Sequence, residues 1–241
     1  MSKFIAVAFG LLAFLSQPST ASTIYWSNGD PVGPSNGGYW GMDSYYGASN
    51  AQSMTFDNFS VIGSPIVLTG VFGHFFFLGL PLTILSADWE IRTGVSSGNG
   101  GTLVASGTAY SPTWKQEAQY EPFVLGFYLQ IDGLNVPLTA DETYWLGLRP
   151  RTTNSGIPIK LWETEGLNAI GNPAGNDGNA YWTSTFPVTN FLPAAIASAE
   201  SDPVDFAMGV LVADVAAPEP STFALSILGL GALWLRTRKT R

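Results

Sequence analysis

The 241-residue sequence contains no cysteine. That excludes disulfide staples, thiolate nucleophiles, Cys-ligated zinc and iron–sulfur clusters, so stability has to come from packing and hydrogen bonding alone. It contains one histidine, His74, which is too few for a histidine-based zinc set. Set between Gly73 and Phe75 in the most apolar run of the chain, His74 reads as a structural imidazole, not the base of a Ser-His-Asp site. Charge is sparse at 12%, and cations are sparser still. Between residues 22 and 216 lie five of the ten Lys and Arg but seventeen of the eighteen Asp and Glu. A segment of that sign repels phosphate backbones, which excludes nucleic acid as a partner, and it attracts divalent cations.

Turn and strand formers are abundant. The chain has 27 glycines and 13% aromatic residues, with many Asn, Ser and Thr. Met54 to Ile62, Ser86 to Thr93 and Phe123 to Ile131 alternate with period two, as half-buried strands do. Ile66 to Leu78 is a longer apolar run suited to a central strand. Gly94 to Gly101 and Asp132-Gly133 read as turns, and further strands are expected at Thr143 to Arg149, Ile157 to Trp162, Ala180 to Phe186 and Val204 to Val215. Roughly nine or ten short strands with no βαβ alternation predict an all-β, antiparallel β-sandwich of jelly-roll type.

The two ends read differently from the middle. Lys3, the apolar run Phe4 to Leu15, the breakers Gln17 and Pro18, and Ser19-Thr20-Ala21 have the three-part order of a secretory signal peptide, with cleavage expected after Ala21. At the other end stand Pro218, Glu219, Pro220 and Ser221, then the apolar run Phe223 to Leu235, then a basic end with Arg236, Arg238, Lys239 and Arg241. The run of 13 residues is shorter than the ~17–25 that span a bilayer, while the cations suit a cytoplasmic membrane face. The expected organisation is a signal peptide at 1–21, a β-sandwich ectodomain at 22–216 and a hydrophobic sorting helix within a tail at 217–241.

That tail resembles the PEP-CTERM sorting signal of exported proteins in Gram-negative bacteria. The resemblance implies recognition by an exosortase, cleavage near Pro218-Glu219-Pro220, contact with the membrane through the tail before processing, and delivery to the cell envelope, surface or extracellular matrix, where such proteins contribute to biofilm. The succession Trp89-Glu90-Ile91-Arg92, Gly101 to Gly107, Leu138-Thr139-Ala140, Tyr144 to Leu148, Tyr181-Trp182 and Asp205 to Val210 is similar to the ectodomains that carry these tails. This likeness supports a sandwich and implies no catalytic role.

No residue constellation compels an enzyme, and no catalytic residue is assigned. Asp88 with Glu90, and Glu163 with Glu165, have the strand spacing that puts two carboxyls on one face, but on an acidic surface such pairs are mostly solvated. The candidate ligand-binding residues lie in and beside the loop Asn168 to Asn179. Asn172, Asn176, Asp177 and Asn179 offer short oxygen-bearing side chains that can wrap Ca²⁺, but only one is charged and the spacing is not that of a calcium loop, so an ordinary turn is the favoured reading. Trp162 and Trp182 are the aromatic platform that sugar stacking would use. The expected function is therefore a non-enzymatic exported surface or matrix protein needing no cofactor. The alternative is a carbohydrate-binding module, assisted by Ca²⁺, with extracellular polysaccharide as partner.

Overall fold

The protein is described by a computed structural model covering residues 22–32, 41–46, 52–79, 83–121, 124–153, 158–175, 177–185, 188–198 and 204–213. The signal-peptide segment, the motif Pro218 to Ser221, the basic end Arg236 to Arg241, and Asn176 lie outside those residues.

Among the described residues, fourteen strands and one short helix follow one another: β1 (Ser22–Ser27), β2 (Gly41–Asp43), β3 (Ser53–Val61), β4 (Ile66–Leu78), β5 (Ile84–Thr93), β6 (Thr102–Tyr110), β7 (Thr113–Glu121), β8 (Val124–Leu138), β9 (Glu142–Thr152), β10 (Ile159–Thr164), β11 (Tyr181–Thr185), β12 (Val188–Pro193), α1 (Ala194–Ser198), β13 (Asp205–Phe206) and β14 (Met208–Ala213). Every strand pairing is antiparallel. Six strands form one sheet in the order β12-β11-β3-β9-β5-β6. The other eight form a sheet built around β4, which pairs along one edge with β8 and along the other with β14 and then β10. Among the described residues no helix is long and apolar enough to cross a membrane.

The sheets are joined by one apolar core. Residues of β4 (Val71, Phe75, Phe77) and β8 (Phe127, Leu129, Ile131) pack with β9 (Leu146, Leu148) and β5 (Ala87, Trp89, Ile91) of the facing sheet. Trp26 of β1 stacks on Phe59 of β3 at 5.5 Å between ring centroids, and Phe59 stacks on Tyr144 of β9 at 5.6 Å. Each ring buries about 150–250 Å², and the stack ties one sheet to the other without covalent cross-links.

The strand expectations hold for most of the chain, with local differences. Asp132-Gly133 does not end its strand. β8 runs through it to Leu138, Gly133 takes φ +75°, and the register beside it shifts between Leu68 and Gly70, which absorbs the irregularity as a bulge. β7 carries polar residues (Lys115, Gln116, Glu117) on an exposed strand beside β8, so its alternation gave no apolar face to read.

Candidate metal centre

The polar centre of the molecule forms where β11 leaves β3. β11 pairs with β3 from Ser53 to Phe56, and the next residues, Asp57 and Asn58, meet the loop between β10 and β11 instead. Along β3 the inward parity runs Asp57, Phe59, Val61, so the Asp57 carboxylate points into the space between the sheets and is fully buried. Two residues from the Trp26–Phe59 stack, along both strands, Asn28 faces Asp57, and its Nδ2 donates to Asp57 Oδ2 at 2.7 Å.

Two further carboxylates converge there. Asp205 of β13 is fully buried, and Asp177 in the loop is exposed. Carboxylate oxygens of Asp57, Asp177 and Asp205 all lie within 4.8 Å of one another. The carboxyl groups are oriented by N–H donors. Asn58 N donates to Asp57 Oδ1 at 2.8 Å and Phe206 N to Asp57 Oδ2 at 2.7 Å. Asp205 Oδ2 accepts from Asp177 N and from Gly178 N at 3.1 Å. Asp177 Oδ2 accepts from Asn58 Nδ2 at 3.3 Å and Asn179 Nδ2 at 2.9 Å. Gly178 reaches this geometry at φ +72°, which an L side chain rarely adopts.

No cation balances this charge among the described residues. The ion pairs join Arg92 to Glu90, Arg149 and Arg151 to Asp88, and Lys160 to Asp43, and the one histidine bonds Glu117. Burial, and then the neighbouring Asp205 charge, therefore push Asp57 well above the usual carboxylate range, against the Phe206 and Asn58 N–H groups that favour the anion. Burial likewise pushes Asp205 up to about 7; the Asp177 charge adds to the rise and the Gly178 and Asp177 N–H groups oppose it. Three buried side-chain oxygens at the cluster accept no hydrogen bond: Asn28 Oδ1, Asn58 Oδ1 and Asp205 Oδ1.

The residues expected from sequence to bind a ligand divide. Asp177 and Asn179 belong to this cluster. Asn172 belongs to the same loop, but it contributes its main-chain carbonyl, which accepts from Ser60 N at 2.7 Å on the edge that β11 vacates. Trp162 is not a sugar platform. At 1% exposure it is packed with Phe76 and Val124, because β10 lies inside its sheet between β4 and the short strands β2 and β13. Trp182 is half-buried against the main core, and its Nε1 donates to Asp43 O at 2.8 Å. Asn28, Asp57, Asn58 and Asp205 were missed. The parity of Asp57 with Phe59 and Val61 was the signal available for one of them; the others become neighbours only through the tertiary fold.

Three of the four paired carboxyls are ion-paired or buried, and Glu165 is exposed. Asp88 is held by Thr108 Oγ1 at 2.7 Å, Arg149 Nη2 at 2.8 Å and Arg151 Nη2 at 2.9 Å, at the base of an open groove of about 240 Å³. Glu90 pairs with Arg92 at 2.6 Å, and Glu163 is buried. The stretch Gly94-Val95-Ser96-Ser97-Gly98 has the spacing of a hydrolase nucleophile elbow, but here it is the turn between β5 and β6, closed by the Ser96–Asn99 bridge and followed by a strand instead of a helix. His74 bonds Glu117 at 2.8 Å and packs edge-on to Tyr128.

No family model matches the chain, and no curated protein matches it.

Proposed function

We propose that the chain is a non-enzymatic exported protein of the cell surface or extracellular matrix, sorted by its C-terminal PEP-CTERM-like signal and processed by an exosortase. The observation that carries this reading is the order at the C-terminal end: Pro218-Glu219-Pro220-Ser221, an apolar run of 13 residues, then Arg236, Arg238, Lys239 and Arg241. The signal-peptide pattern of Met1 to Ala21 supports it, since a C-terminal sorting signal is useful only on an exported chain. A cysteine-free sandwich held by a large aromatic core is consistent with display outside the cell, and the commitment of Asp88 and Glu90 to guanidinium partners leaves those carboxyls ill-suited to hydrolysis. The nested pairs β3 with β9 and β4 with β8, one in each sheet, support a jelly-roll wrapping; β5 departs from it by pairing with β6 and β9.

Intact-mass measurement of the protein recovered from the host envelope and medium tests the proposal. The expected mass lacks residues 1–21 and those beyond Pro218-Glu219-Pro220. A mass retaining Phe223 to Arg241 in the surface-displayed protein would overturn the sorting reading. Calcium-assisted carbohydrate binding is the second reading, favoured by the convergence of Asp177 and Asn179 on the buried carboxylates. A glycan array that stays blank with and without Ca²⁺ would remove it.

A further inference from the structure

We propose that Asp57, Asp177 and Asp205, together with the amide oxygens of Asn28 and Asn58, form a Ca²⁺ site that locks the β10–β11 loop and β13 onto β3. The inference rests on the cluster itself and does not depend on the export reading.

The first argument is electrostatic. Two fully buried carboxylates and a third within 4.8 Å have no cationic partner among the described residues. Buried charge is retained when it is paired or coordinates a metal. The second argument is the unused oxygens. Asn28 Oδ1, Asn58 Oδ1 and Asp205 Oδ1 are buried and accept nothing. Each Asn donates through Nδ2 to a carboxylate of the cluster, and its Oδ1 sits on the same amide carbon, so the orphaned acceptor lies at the cluster as well. An acceptor left unmade in a buried position is costly, and three of them on residues of one carboxylate cluster point to an unfilled positive centre.

The chemistry of the donors selects the ion. All are oxygen, since the chain has no cysteine and its one histidine is engaged by Glu117. That disfavours zinc and copper. Ca²⁺ takes six to eight oxygens at about 2.3–2.6 Å, so ligands on opposite sides of one ion lie about 5 Å apart, which matches the span of the cluster. The donors come from an Asn after β1, two residues on β3, a loop and β13, an irregular set. Ca²⁺ tolerates such a set, whereas Mg²⁺ demands a near-regular octahedron. The exposed Asp177 is the entry side, and solvent beside it supplies the remaining ligands.

The test uses the full chain, stripped of metal with a chelator and then titrated with CaCl₂, MgCl₂ or TbCl₃. Binding is read by calorimetry and by thermal melting. Tb³⁺ luminescence gives a third readout, because Trp26 and Trp145 bond the segment that carries the site through Pro173 O and Asn179 O. The expected result is one Ca²⁺ per chain, a melting temperature raised by about 5–10 °C at a hundredfold excess over Kd, and a much weaker response to Mg²⁺. Asp177→Asn, at an exposed position that folding tolerates, should weaken Ca²⁺ binding at least tenfold. Asp205→Asn should abolish the Ca²⁺ response while raising the melting temperature of the metal-free protein. Asp132→Asn, on β8 away from the cluster, should leave binding unchanged. Absence of stoichiometric Ca²⁺ binding by the unsubstituted chain overturns the proposal, as does equal affinity for Mg²⁺ or undiminished binding by the Asp177→Asn/Asp205→Asn double variant.

Discussion

At the scale of single residues, the molecule places its few charges in two opposite arrangements. Asp88 is surrounded by donors. Burial alone would raise its pKa, but the Thr108 hydroxyl and the Arg151 and Arg149 guanidinium groups outweigh burial and hold it below the ordinary carboxylate value of 3.8. A depressed carboxylate stabilises the fold above its unfolded pKa, and that contribution is lost as pH falls through the folded value. Asp88→Asn should therefore lower the urea midpoint at neutral pH and lose less stability than the unsubstituted chain on acidification below about pH 4. Parallel pH profiles for the two would show that the arginine pair contributes nothing. The opposite arrangement surrounds Asp57 and depends on a glycine. Gly29 sits at φ +104°, and a Cβ there would lie 2.3 Å from the Leu167 carbonyl oxygen. Gly29→Ala should cost at least ~1–3 kcal/mol in chemical denaturation and should displace Asn28 next to it. A variant as stable as the parent would mean that this turn relaxes freely.

At the scale of elements, β14 stands out because it is a central strand. It pairs with β1 on one edge and with β4 on the other, and buries Met208 and Val210 in the main core. Removing it leaves two bare ladders, the long apolar edge of β4 among them, which is the kind of surface that recruits other chains. A chain ended after Ala207 is expected to be largely insoluble or to bind an apolar dye strongly, as read by sedimentation and dye fluorescence. A soluble, monomeric truncation would show that β4 can close its own edge. β7, by contrast, lies at the outside of its sheet with exposed Lys115, Gln116 and Glu117, the charged dressing that keeps an edge from pairing further.

At the scale of the whole molecule, Ser22–Asp214 forms one compact unit whose two sheets share a single apolar cluster running from Trp26 to Val210. Unfolding should then be one cooperative transition, with far-ultraviolet dichroism and tryptophan fluorescence sharing a midpoint. Separate midpoints would show that the sheets melt independently. The sandwich was legible in the sequence because period-two alternation is a local signal. Phe127, Leu129 and Ile131 announce an inward face without reference to any other strand. The carboxylate cluster was half legible. Asp177 and Asn179 stand in a glycine-rich loop whose composition is visible, whereas Asp205 lies in a two-residue strand and Asn28 just beyond β1, and neither has a local pattern that says it is buried. Trp162 is buried by β2, β4 and β13, which are distant in sequence, so its own segment does not announce the burial.

The central position of β14 also has a mechanical meaning. A chain held by whatever follows residue 213 takes its load through β14, and the hydrogen bonds to β1 and β4 lie across the direction of pull. Such ladders yield by sliding, with many bonds breaking together, whereas a strand peeled from an edge opens one bond at a time. Forced unfolding is governed by the barrier to that first event. Were the chain tethered through its C-terminal end, as proposed, tension would enter at a strand held along both edges, and a tethered copy should withstand drag that would strip a domain hung from a peripheral strand.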